Sequence, residues 1–154
     1  MTDPWTYEKA GVSIDRKSSA IESLVGELKY RRTGDGQNVR MSGLFASLID
    51  YGDEYLTLAT DGVGTKLLVA QALGKWDTVG IDCVAMNVND TICVNAEPIS
   101  FVDYVAIADP DGKVTRDIGI GLNKGAEMSN MDIVGGEIAV LPEIVRMPDL
   151  SGTC

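Results

Sequence analysis

The most regular hydrophobic pattern in the chain covers residues 78–94, where Val79, Ile81, Cys83, Val84, Met86, Val88 and Ile92 leave almost no polar side on a helical projection. A helix apolar around most of its circumference is a buried one. Its polar exceptions, Asp82, Asn87, Asn89 and Asp90, fall at about 100° per residue within one arc of roughly 160°. Such an arc faces something: either its groups are satisfied by main-chain hydrogen bonds, or they form the wall of a metal and nucleotide site.

Residues 1–17 show no clean period and read as a loop or arm. Ile21, Leu24, Val25 and Leu28 then recur at helical spacing, predicting a helix to about residue 30 capped by Ser18 or Ser19. Residues 44–49 and 55–60 have strand character on either side of an Asp50-Tyr51-Gly52-Asp53 turn, so a hairpin is expected. A Gly-rich turn at 60–66 opens a helix that Gly74 stops, and Pro98 ends the apolar helix that follows. Residues 99–108 (ISFVDYVAIA) read as a buried strand, Asp109-Pro110-Asp111-Gly112 as a turn, 114–128 as a helix and 132–134 as a strand. This order predicts an α+β fold with helices packed on one face of a mixed, mostly antiparallel sheet.

Composition narrows the chemistry. The 154 residues are 45% hydrophobic, enough for one buried core, and the formal charge of -10 with a pI near 4.3 argues against nucleic acid as a partner. No signal peptide or membrane helix is visible, and three cysteines without a CxxC spacing fit a reducing cytoplasm. Histidine is absent, which excludes His-dependent triads and leaves acid–base work to carboxylates, Lys, Cys, Tyr or the substrate.

The turn Thr60-Asp61-Gly62-Val63-Gly64-Thr65-Lys66 follows a strand and opens a helix, so its main-chain N–H groups can face phosphate. It is not a P-loop, because its glycines are two apart and Thr65 precedes Lys66. Asp61 suits Mg²⁺ and Lys66 a phosphate oxygen, though a Gly-rich turn is often only a turn. Val134-Gly135-Gly136-Glu137 places a carboxylate after two glycines at a strand end. Glu137 is either a surface residue beside a bend or, with Asp61 and Asp90, one of three carboxylates that could converge on a hard cation.

Taken in order, YEKAGVSID around residues 7–15, TDGVGTK at 60–66, DTVGIDCVAMNVND at 77–90, AEP at 96–98, DYVA at 103–106, GGE at 135–137 and DLSGTC at 149–154 resemble the AIR synthetase (phosphoribosylformylglycinamidine cyclo-ligase) family across nearly the whole chain. The resemblance implies a single ATP-binding domain over 1–154 whose sheet pairs with that of a second subunit in a homodimer, with the active-site grooves near the interface. It also implies Mg²⁺ and ATP as cofactors and formylglycinamidine ribonucleotide as substrate. In the family's reaction ATP phosphorylates the amide oxygen, and an internal nitrogen closes the imidazole ring with release of ADP and phosphate. Carried onto this sequence, the resemblance assigns Asp61, Asp90 and Glu137 to metal. It assigns Gly11, Asp15, Asp61, Gly62, Gly64, Thr65, Lys66, Asn89 and Glu137 to ATP, and Lys66 and Asp90 to catalysis. The segment 11–15 is expected to be a mobile arm that folds over the nucleotide.

Some positions depart from the family's pattern. Trp76 stands where a histidine is usual, Ile138 and Val140 replace polar residues after Gly-Gly-Glu, and the Gly-rich run before the first strands is reduced to Met41-Ser42-Gly43. The family's second α+β domain would follow residue 154: either that half has been removed from this sequence or it is a separate chain, which is then an expected partner. Competing expectations are a non-catalytic nucleotide-binding or dimerisation module, or a relative such as thiamine-monophosphate kinase, selenophosphate synthetase or the hydrogenase maturation ATPase.

Overall fold

In the computed structural model of the chain, which describes residues 6, 7, 9, 11, 13–39, 41 and 43–154, the apolar run beginning at Val79 forms a buried helix. In chain order the elements are α1 (Ile14–Glu27), β1 (Asn38–Val39), β2 (Ser47–Asp50), β3 (Tyr55–Leu58), β4 (Thr60–Gly62), α2 (Lys66–Leu73), α3 (Val79–Ile92), β5 (Ser100–Ile107), α4 (Gly112–Ser129), β6 (Asp132–Val140) and β7 (Asp149–Thr153). The chain divides into two units, residues 1–34 and residues 35–154.

The first unit contains α1, whose N-cap is Ser13, the Oγ accepting from the Arg16 N–H at 3.4 Å. The predicted caps Ser18 and Ser19 lie inside the helix; Asp15 in the first turn favours the earlier start through the helix dipole. No residue of α1 is buried. Much of the arm predicted over 1–17 lies outside the described residues, and the part from residue 14 onward is helical.

In the second unit, β5 runs through a four-stranded sheet of order β4-β7-β5-β6, parallel to β6 and antiparallel to β7. Alternation along β5 buries Phe101, Val105 and Ile107 on one face and leaves Val102 and Tyr104 exposed on the other. On the buried side, α3 lies against β4 and β7, and α4 against α3 and β6. Val84, Ile118, Leu122, Phe101, Ile107 and Leu150 close the core between them. Each such side chain contributes about 1.5–3 kcal/mol by leaving water.

The helices approach closely because Gly80 and Gly121 face one another: a Cβ on Gly80 would lie 2.1 Å from the main-chain nitrogen of Leu122. Asp111 caps α4 by accepting from the N–H groups of Lys113 and Val114, and Gly74, in the left-handed region at φ 60°, stops α2 as expected.

The α+β class is as the sequence predicts, but the strands form two sheets. The hairpin β2–β3 pairs with the unforeseen β1 in a separate antiparallel sheet. Strand β6 continues six residues past the predicted end at Val134, because Gly135 and Gly136 extend the strand rather than end it. Among the described residues, no helix is long and apolar enough to cross a membrane.

Candidate functional site

The Gly-rich turn sits where β4 ends and α2 begins, with α3 beside it. Gly64 has φ 67°, a conformation that β-carbon-bearing residues rarely adopt, and Val63 anchors the turn by donating its N–H to the Leu150 carbonyl at 2.9 Å. Thr65 is the N-cap of α2 but makes no side-chain cap bond.

Lys66 opens α2 and its ammonium donates to Asp82 Oδ1 of α3 at 2.8 Å, with Met86 Sδ at 3.7 Å. With the two side chains 47% and 40% exposed, the ion pair adds at most about 1 kcal/mol of stability. Its effect is directional: an ammonium has three donors, so Lys66 can keep Asp82 and still offer a proton to a third group.

The polar arc of α3 divides in two. Asn87 is fully buried, and its Oδ1 accepts from the Asp61 N–H at 2.9 Å while its Nδ2 donates to the Cys83 carbonyl at 2.9 Å and the Asp61 carbonyl at 3.4 Å. Asn89 is exposed, and Asp82 and Asp90 are half-buried. Asp90 lies three residues after Asn87, close to one helical turn beyond the point where Asp61 is held.

Across the sheet, register sets Asp61, Gly152, Asp103 and Gly136 in one row on the face that α3 covers. The glycines in this row make room: a Cβ on Gly136 would come within 2.5 Å of the Asp103 carboxylate, and one on Gly152 would strike the Phe101 ring. Burial pushes the Asp103 carboxyl above the usual carboxylate range. The Cys83 thiol is pushed up to about 12, first by burial and then by the charges of Asp103, Asp61, Asp149 and Asp82.

Glu137 does not join this group. It is one residue past Gly136 and pairs with Tyr104, so alternation turns it to the opposite face of the sheet. Among the described residues no three Asp, Glu, His or Cys side chains are placed to hold a metal ion together. The expected convergence of Asp61, Asp90 and Glu137 within one chain is thus corrected: strand parity separates Glu137, while Asn87 links Asp61 to the helix that carries Asp90. Gly11, in a turn at φ 84°, and Asp15, in the first turn of α1, belong to the other unit. Asp103 was overlooked as a candidate, although its signal was present: in ISFVDYVAIA it is a charge in phase with Phe101, Val105 and Ile107.

The fold and this turn define an α+β protein with a Gly-rich strand-to-helix junction beside a carboxylate-bearing helix. Residues 45–154 match the family described as AIR synthase related protein, N-terminal domain, and the chain belongs to that family. It is 52% identical over 149 residues to the phosphoribosylformylglycinamidine cyclo-ligase of Methanococcoides burtonii, covering 97% of this chain and 45% of that protein. The enzyme of the same name from Methanosarcina barkeri is 48% identical over 149 residues, with the same coverage of 97% and 45%. The chain therefore spans about half the length of these curated relatives. Among solved structures, AaThiL in complex with AMPPCP and TMP superposes with a TM-score of 0.64 at 17% identity, over 92% of this chain and 42% of that one, a likeness of fold.

Proposed function

We propose that the chain is the ATP-binding half of a cyclo-ligase that converts formylglycinamidine ribonucleotide to aminoimidazole ribonucleotide. The observation that carries this reading is the junction at residues 60–66, with Lys66 anchored to α3 by Asp82 and Asp61 held to the same helix by Asn87. The cyclo-ligase names of the half-identical relatives supply the reaction, and the triphosphate analogue in AaThiL supplies the ligand class.

In this reading Gly62 and Gly64 let the phosphates approach the main chain, Thr65 and the first turn of α2 face them, and Lys66 neutralises developing charge. Phosphoryl transfer asks a protein mainly for such positioning and charge. Asp61 and Asp90 fit Mg²⁺, which takes oxygen ligands and is commonly held by one or two carboxylates together with the phosphates; it would supply charge neutralisation at the triphosphate. Asn89, exposed near Asp90, is a substrate or nucleotide contact. Glu137, on the open sheet face with the exposed Val102 and Tyr104, belongs to a groove completed by the second copy of a homodimer paired through that face. A C-terminal half, on the same or another chain, completes the enzyme.

Titration of the protein with an ATP analogue at fixed Mg²⁺ tests the site. Asp61→Ala and Asp90→Ala should each weaken binding tenfold or more with an unchanged melting temperature. Unaltered affinity would remove them from the site. Phosphate release from ATP with formylglycinamidine ribonucleotide, after adding a relative's C-terminal half, tests the reaction; no turnover in that mixture argues for a binding module instead.

A further inference from the structure

The hydrogen bonds of Asn87 run to main-chain groups, and it is the polar side chain most fully withdrawn from water in the site, with 0% exposure. An amide buried in an apolar helix is costly unless every polar atom is paired. Here the pairing is directed outward from the helix: Oδ1 takes the N–H of Asp61 and Nδ2 reaches its carbonyl, so one side chain grips both ends of that residue's main chain. The second Nδ2 bond, to the Cys83 carbonyl on the preceding turn, fixes the amide plane.

The helix that offers this grip is itself rigidly set. Gly80 and Gly125 bring its backbone and Val84 into direct contact with α4, leaving it no room to slide. Strand β4, by contrast, is three residues long.

Resting on the nucleotide-site reading above, we propose that Asn87 is a positioning residue for that site: its buried amide holds Asp61 in place against the helix that carries Asp90. The consequence is specific. Replacing Asn87 should loosen the placement of Asp61 and cost nucleotide affinity through Asp61 alone.

A double-variant cycle separates this from a merely structural role. Affinity for a Mg²⁺-bound ATP analogue is measured in the parent, Asn87→Leu, Asp61→Ala and the double variant, with melting curves alongside. Asn87→Leu keeps the branching at Cγ while removing both polar atoms, and Asn87→Ser serves where the bulkier Leu does not fold. Expected are a loss of tenfold or more in the position-87 variant and less than threefold further loss when the same change is made in Asp61→Ala. Faster hydrogen exchange at the Asp61 amide should accompany the first loss. Unchanged affinity in the position-87 variant, or losses that multiply in the double variant, would overturn the assignment. A parent protein that binds no analogue sinks the nucleotide-site reading itself, a different result from a parent that binds and a position-87 variant that binds equally well.

Discussion

The two faces of the four-stranded sheet are built from the same strands and do different work. On the face under α3 and α4, Phe101, Val105, Ile107 and Leu150 are at most 4% exposed. On the other, Val102 and Tyr104 are 41% and 42% exposed beside Glu137, Ser151 and Thr153. One residue of register separates the two sets. The covered face stores stability and also carries the carboxylates Asp61 and Asp103. The open face keeps apolar surface in water, and it gains by burial only against another molecule.

Four substitutions and one control, Gly119→Ala, test that contrast, the four in falling order of expected effect. Gly80→Ala inserts a methyl into the main chain of α4 and should cost about 3 kcal/mol or more, read as a fall in denaturant midpoint. Gly119→Ala on the exposed side of α4 meets nothing within 4 Å and should instead stabilise by about 0.5–1 kcal/mol. Leu150→Ala, at a fully buried β7 position, should cost about 2–5 kcal/mol by the same measurement.

Asp103→Asn tests the charged part of the covered face. An unfolded aspartate titrates near about 3.9, and burial raises the carboxyl in the folded protein. Between those two values the folded state holds more protons than the unfolded one, so the residue's favourable contribution is complete at lower pH and lost as pH rises through the folded value. The variant should melt higher than the parent at pH 7, and the difference should vanish below about pH 3.5, under the unfolded value. A pH-independent difference would contradict a desolvated carboxylate. Tyr104→Ser, on the open face, should change the monomer's stability by only about 0.5 kcal/mol. It should nonetheless weaken self-association in sedimentation measured over a concentration series; unchanged association would remove this face from the proposed dimer.

Much of the covered face was legible in the sequence. The single polar arc identified α3, Gly74 marked the end of α2, and ISFVDYVAIA gave β5 nearly to the residue. Strand β7 was not, because DLSGT carries one large apolar residue and its Gly152 is small to admit the Phe101 ring, a requirement set by another strand. The continuation of β6 was hidden for a like reason, since Gly136 clears the Asp103 carboxylate. At the candidate site, the motif offered Asp61, Lys66 and Asp90 as candidates. The partner choices, Lys66 with Asp82 and Asn87 with Asp61, join positions 16 and 26 residues apart and exist only once α3 is docked. Glu137 was misplaced because a strand's parity is invisible until its register is known.

Strand β7 lies between β4 and β5 although it is the last of the three to be synthesised, and its partner Thr60 precedes Thr153 by 93 residues. On a ribosome, then, β4 must wait through the making of α2, α3, β5, α4 and β6 for its partner, and the edge of β5 that faces β7 must wait through α4 and β6. Sheet closure of this kind carries the long-range entropy that slows folding. The nascent protein passes through a stage with two unsatisfied strand edges, open to chaperones or to a neighbouring chain, until the segment 149–153 emerges to bridge them.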